Sequence, residues 1–315
     1  MSRLGTVAPA ALCGAAGAGL YLCVLTGSPG AAILVSLAQL PLFIAGLWLG
    51  TGAAAIAGLT AAVIVLGAAR DIVAAALFAA VYAAPVVFLV RQALLARTGS
   101  DGALEWYPPG ALAAWLTGLA LGACSVVLCW LGGPQAVQSM LRQALMPALA
   151  ELTDATAART GTLADTLAAI LPGILAASWM MLVIGNGVLA QSLLVRFGAN
   201  WRPSPEMAAL NLPFWITALL GAAALLTLLG APARFVGINA MIVLGIPFCL
   251  AGLAVVHAFA GRLARPAMAL AIFYVLAGLF GWPLLLLALL GLLDGPLGLR
   301  RRLGVRQSRG GKIDG

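Results

Sequence analysis

Apolar residues run through this chain in blocks long enough to cross a bilayer as helices, separated by short clusters of glycine, proline and charge. A crossing needs about 20 apolar residues. Residues 4–69 contain no charge at all, so that stretch alone must cross several times. Cutting at the punctuation predicts spans at residues 7–26, 31–49, 52–69 and 72–90. Their connections, Gly27-Ser28-Pro29-Gly30, Gly50-Thr51 and Arg70-Asp71, are tight turns that force antiparallel neighbours. After Arg91 a polar segment ends in Trp106-Tyr107-Pro108-Pro109-Gly110, where two aromatics suit the headgroup level and two prolines stop a helix. Further spans are expected at residues 111–131, 167–190, 212–229, 236–260 and 267–293. The last contains Gly281-Trp282-Pro283, where a helix kinks or turns back. The pattern predicts an all-α, polytopic transmembrane helical bundle of about 8 to 10 spans.

Residues 133–165 break the apolar rhythm, with Arg142, Glu151, Asp154, Arg159 and Asp165 spread among alanine, leucine and methionine. Val137, Met140, Leu141, Ala144 and Leu145 recur at helical spacing, which predicts an amphipathic helix on the membrane surface that serves as a connector rather than a lid. The expected organisation is one membrane domain over residues 1–299, including this connector, followed by a basic tail over 300–315.

Composition closes off the soluble alternative. Hydrophobic residues make up 63% of the chain and charged residues 8%, against about a quarter charged in a soluble domain. Arg3 before an apolar run imitates a secretory signal, but another apolar span follows where a polar mature domain should begin, so the first run is expected to remain as a helix. The net charge of +8 does not point to nucleic acid. Six of the 17 basic residues lie between Arg300 and Lys312, and no basic face with interleaved aromatics accompanies them. A basic tail beside a membrane fixes topology and touches anionic lipid. With the N-terminus inside and the last run folded back at Pro283, 13 basic residues lie on the cytoplasmic side and 4 outside. A single kinked helix there reduces the contrast to 10 against 7. The positive-inside bias therefore places both termini in the cytoplasm of a bacterial-type cell, with the chain multi-pass in the inner membrane.

The chain carries no phosphate loop of Walker type, no HExxH and no GxSxG, and its only histidine is His257. It is expected not to be an enzyme, to hold no metal and to need no cofactor. Cys13, Cys23, Cys124, Cys129 and Cys249 lie in apolar runs without CxxC spacing and read as small apolar side chains. Gly185-Asn186-Gly187-Val188-Leu189-Ala190 matches a dinucleotide fingerprint only formally, because it lies inside a span. What remains is a set of polar residues in or beside the spans: Gln39, Asp71, Asn186, Gln191, Asn211, Asn239, His257 and Asp294. Such groups are costly in hydrocarbon and turn toward a cavity or a neighbouring helix. Gln39, Asn186, Asn239 and His257 are the candidate ligand-binding residues, against the alternatives of interhelical glue for the amides and a snorkelling interfacial group for the histidine. Flanking glycines make Asn186 the best of them. Asp294 is expected to pair with the arginines after it. On the first helix, Ala10, Gly14 and Ala18 form one small-residue row and Ala11, Ala15 and Gly19 the next, faces on which a helix of this chain or a partner packs closely.

Three stretches carry a family resemblance together: Trp106-Tyr107-Pro108-Pro109-Gly110, Asn211-Leu212-Pro213-Phe214-Trp215, and Gly291-Leu292-Leu293-Asp294 with Arg300, Arg301 and Arg302. The residues from Asn239 to His257, with Ala251-Gly252-Leu253-Ala254-Val255-Val256, add to it. The chain resembles the bacterial membrane family DUF2232, also described as YybS-like, over most of its length and most clearly from Asn211 onward. Membership assigns no reaction. That family is distantly similar to the substrate-binding S subunits of energy-coupling-factor transporters and to the rod-shape protein MreD. In S subunits small-residue rows on the first helix dock a transmembrane coupling subunit, so the resemblance implies that role for the two rows named above. The chain departs from the S-subunit pattern in its larger number of spans and its lack of a vitamin-binding motif. The resulting expectation is a small-solute-binding transporter component, S-subunit-like and without its own ATPase, whose partners are the lipid bilayer and a coupling subunit with ATPases. The alternative is a membrane scaffold that gathers envelope or division proteins and transports nothing.

Overall fold

The computed structural model describes residues 3–28, 30–99, 102, 104–152, 157–207 and 210–302. Pro29, Asp154 and the tail beyond Arg302 lie outside the described residues. Helix accounts for 83% of the structure. Seven helices are long and apolar enough to cross a bilayer, or eight if one bent pair counts as a span. The chain is a polytopic helical membrane protein, and its contacts divide it into two compact units. Unit 1 comprises the described residues within 1–112 and 181–206, and unit 2 those within 113–180 and 207–302.

Unit 1 is built on α1 (Arg3–Leu22), α2 (Ala31–Ser36), α3 (Leu40–Leu49), α4 (Thr51–Ala69), α5 (Ile72–Phe78) and α6 (Ala84–Ala93). Lipid tails are as apolar as leucine, so helices associate in a bilayer through close packing rather than through the hydrophobic effect. Small residues therefore set the geometry. A Cβ on Gly14 would overlap the Ala57 carbonyl of α4, and one on Gly46 would press on Val90 and Ala54 at 2.8 and 2.9 Å. The row Ala10, Gly14 and Ala18 is buried in this unit, whereas Ala15 and Gly19 of the second row are exposed and Ala11 is half-buried. Between α4 and α5 the turn is Arg70-Asp71. Arg70 takes the left-handed conformation (φ 52°), and the Asp71 carboxylate accepts a hydrogen bond from the Val73 amide at 2.8 Å. After α6, a short antiparallel hairpin of β1 (Ala96–Thr98) and β2 (Leu104–Trp106) occupies part of the polar segment, where only loop was expected.

Unit 2 contains α7 (Pro109–Trp130, from Ala113 on), α8 (Pro134–Leu152), the first part of α9 (Ala157–Arg196), α10 (Phe214–Thr227), α11 (Ala231–Ala260), α12 (Pro266–Phe280), α13 (Pro283–Leu297) and the single turn α14 (Leu299–Arg302). Both halves of the expected connector are helical. Its first half is α8, of whose expected apolar row only Val137 is buried. Its second half continues without interruption into the span, making α9 40 residues long, about 60 Å at the helical rise. An exposed Arg142–Asp165 pair at 2.7 Å joins α8 to the start of α9. One span ends differently from the expectation, and another follows the folded-back alternative at Pro283. The run at 212–229 forms a helix of only 14 residues, opened by Pro213 and stopped before Gly230. The run at 267–293 is two helices that turn through 119° at Gly281 and Trp282, rather than one kinked helix. Pro283 cannot donate into a continuing helix, and Gly281 supplies a positive φ of 65°.

In this unit α11 and α13 approach most closely at Gly252 and Gly291. A Cβ on Gly252 would overlap the Leu287 carbonyl, and one on Gly291 would overlap the Phe248 carbonyl. Ala114, Ile216, Ala223, Leu244 and Phe248 form the core beside this contact.

Candidate functional site

Proline organises the polar chemistry of both units. A proline inside a helix lacks the N–H that would pair with the carbonyl four residues earlier, and that carbonyl needs another donor. In unit 1, Pro41 stands in the first turn of α3, and the helix expected over 31–49 breaks at residues 37–39. The backbone tightens there: the Leu40 amide donates to Leu37 rather than to Ser36, at 3.0 Å. Ser36 is left with a free carbonyl, and Asn186 of α9 supplies the donor, its Nδ2 lying 2.8 Å away. The second hydrogen of Nδ2 goes to the Leu182 carbonyl at 2.8 Å.

The same turn carries Gln39, which is 3% exposed. Pro85, near the start of α6, removes the usual partner of the Val81 carbonyl, and residues 79–83 widen into a π-helical turn. Gln39 Nε2 donates to Val81 at 3.3 Å and lies 3.5 Å from the Tyr82 carbonyl. Tyr82 stacks on Phe78, and Tyr21 meets both rings edge-on with centroids 5.0 and 5.1 Å away. The Ser36–Gln39 turn is thus held from one side by α9 and from the other by the widened turn.

Asn239 plays the corresponding part in unit 2. Its Nδ2 donates to the carbonyls of Ala169 and Phe235, both at 2.8 Å, and its Oδ1 accepts from the Gly173 amide at 2.6 Å. Ala169 and Gly173 are four apart around Pro172, so one side-chain amide serves both backbone groups beside the proline within α9. Gly173 has to be glycine, because a Cβ would lie 2.9 Å from that oxygen and 3.0 Å from the Asn239 Cα. Every polar atom of the Asn239 side chain is engaged.

Asn186 differs in one atom. It is 2% exposed, its amide hydrogens are both used, and its Oδ1 has no hydrogen-bond partner among the described residues. Orientation is not in doubt, because both neighbours of Nδ2 are carbonyls and require the NH2 group there. A buried acceptor without a donor costs about 1–3 kcal/mol. Beside it the Phe43 ring lies 3.6 Å from where a Cβ on Gly187 would stand. The four candidates divide between the two units. Gln39 and Asn186 share a turn in unit 1, while Asn239 and His257 lie in unit 2, where His257 Nδ1 meets the Leu253 carbonyl at 3.0 Å and Nε2 the Tyr274 hydroxyl at 3.4 Å.

Two arginines add structure rather than reactivity. Arg300 is 4% exposed and grips Asp294, its Nε donating to Oδ2 at 2.7 Å and its backbone amide to Oδ1 at 3.0 Å. It also donates to the Leu210 carbonyl and, at 3.3 Å, to Asn211 Oδ1. Arg202, absent from the sequence-level candidates, is 6% exposed and donates to the carbonyls of Ala93 and Tyr107 at 3.0 and 2.9 Å. Among the described residues no carboxylate lies within ion-pair distance of it. Burial pushes its pKa below the usual arginine range, yet a guanidinium stays charged in a protein. The only sequence signal for this residue was an isolated arginine between two polar turns.

A cavity of about 370 Å³ lies in unit 2 among Val256, Phe273, Phe280, Trp282, Leu286 and Leu290. Apart from Trp282, no side chain lining it carries nitrogen or oxygen, so it has none of the convergent polar groups that orient a polar ligand. No group of three or more potential metal ligands occurs among the described residues.

Residues 18–295 match the family described as predicted membrane protein, DUF2232. The chain belongs to the DUF2232 family. Gln39, Asn186, Asn239, His257 and Asp294 all lie within the stretch typical of DUF2232 proteins, and Ala10, Gly14 and Arg300 lie outside it. No curated protein and no solved structure matches the chain.

Proposed function

We propose that this DUF2232 protein is a solute-binding component of a transporter in the bacterial inner membrane, with no catalytic chemistry and no ATPase of its own. The observation that carries the reading is the unpartnered Asn186 oxygen, buried beside a helix broken at mid-span. Broken membrane helices are tolerated where they are buried in protein or line a cavity, and in transporters they gather at substrate sites. Gln39, on the same turn, belongs to this site. Asn239 is assigned to helix bracing and His257 to an α11–α12 contact, since both are engaged within unit 2.

The row of half-buried Ala11 and exposed Ala15 and Gly19 offers a close-packing face on α1. It supports a helical partner, whether a coupling subunit that works with ATPases or, on the scaffold alternative, an envelope or division protein. The 13 to 4 partition of basic residues supports both termini lying in the cytoplasm, and a reporter joined after Arg302 that reads periplasmic would reverse that orientation.

Native mass spectrometry of the gently solubilised protein tests the function. The proposal expects a small molecule retained by the chain, with co-purifying subunits that include an ATPase. A solute-free chain accompanied by envelope or division proteins would replace it with the scaffold alternative.

A further inference from the structure

We infer that the ligand held at Asn186 is electrically neutral and presents an O–H or N–H donor to the Asn186 Oδ1 atom; this rests on the solute-binding reading above. The vacant atom is a single acceptor, since both hydrogens of the amide are committed to the Ser36 and Leu182 carbonyls. An acceptor calls for a donor, which excludes a bare carboxylate or phosphate oxygen from that position.

Charge narrows the class further. Residues 4–69 contain no Asp, Glu, Lys, Arg or His, and residues 181–195 of α9 contain none either. Along α9 the nearest charge to Asn186 is Arg196, ten residues away, about 15 Å at the helical rise. On α5 and α6 the charges stand at the ends, Asp71 before α5 and Arg91 in the last turn of α6. The buried Arg202 guanidinium is taken up by the Ala93 and Tyr107 carbonyls, at the C-terminal end of α6, so among the described residues an anionic ligand at Asn186 would meet no free cation and a cationic ligand no carboxylate, and an unpaired charge in this setting is far more costly than a neutral polar group. A desolvated metal cation fares no better. It needs several converging oxygens, whereas the Ser36 carbonyl is occupied by Asn186 and the Val81 carbonyl by Gln39. Phe43, packed over Gly187 next to Asn186, makes the immediate neighbourhood of the amide apolar.

The test uses the full chain, purified gently and then denatured. Whatever is released is identified by accurate mass and by its retention on anion and cation exchangers at neutral pH, for the wild type, N186L and N239L. The inference predicts a compound that carries hydroxyl or N–H groups, passes both exchangers, falls about tenfold in N186L, as expected for one lost hydrogen bond of about 1.4 kcal/mol, and is retained in N239L. A released acid or amine that binds an exchanger would overturn the ligand class and leave solute binding standing. Nothing released from the wild type would overturn both. Equal loss from N186L and N239L would show that the compound depends on general packing rather than on Asn186, and would overturn the assignment. The wild-type result alone decides the class, so the inference stays testable if N186L does not fold.

Discussion

Asn239 in unit 2 and Asn186 in unit 1 each hold backbone groups near a proline, and each gives both amide hydrogens to backbone carbonyls. At Asn239 the oxygen is also used, by the Gly173 amide. At Asn186 it is left over. Bracing uses the whole side-chain amide at Asn239 and only the NH2 group at Asn186. The contrast extends to the surroundings. Both units have a glycine packed on a helix backbone, but unit 2 adds a buried ion pair, whereas unit 1 carries a broken helix, a widened turn and an unsatisfied atom.

If unit 2 is the braced region, its ion pair should show the largest effect. Replacing Arg300 by Met strands the Asp294 carboxylate in a site that is 6% exposed, and equilibrium unfolding in bicelles should show a loss of about 3–5 kcal/mol. The double variant D294N/R300M should recover most of it, because the cost lies in the unpaired charge. A loss below 1 kcal/mol, on the order of a surface pair, would mean that the pair is solvated and that the contrast between the units is overstated. The next effect is N239L, which removes three interhelical and backbone bonds and should cost about 2 kcal/mol, at the roughly 0.6 kcal/mol typical of each such bond in a bilayer. The smallest is N186L. It removes two bonds but also the bare acceptor, so its cost in the ligand-free protein should be about 1 kcal/mol or less. Finding N186L more destabilising than N239L would erase the distinction between the two asparagines.

Fold class was legible in the sequence because hydrocarbon imposes a simple demand: long uncharged runs between turn residues. The Arg70-Asp71 and Gly50-Thr51 turns and the fold-back at Pro283 follow from local chemistry, and the structure places them where the punctuation stands. Breaks inside runs were harder. Pro41 and Pro85 are visible in the sequence, but hydropathy does not register a missing N–H, and the run at 31–49 reads as unbroken. The pairing of Asp294 with a following arginine was readable because six residues separate it from Arg300. Asn186 was singled out by its glycine neighbours, but its partner Ser36 is 150 residues away. Nothing in the spacing of Asn186 and Asn239 distinguishes an amide with a spare oxygen from one without. That difference is created by tertiary packing, as are the carbonyl partners of Arg202.

The measurement that bears most directly on this account is an experimental structure of the gently purified protein in lipid, at a resolution that shows bound small molecules. The account predicts non-protein density within hydrogen-bonding distance of Asn186 Oδ1 and none at Asn239. A protein donor closing on the Asn186 oxygen, or a lone water in its place, would contradict it and leave both asparagines as braces.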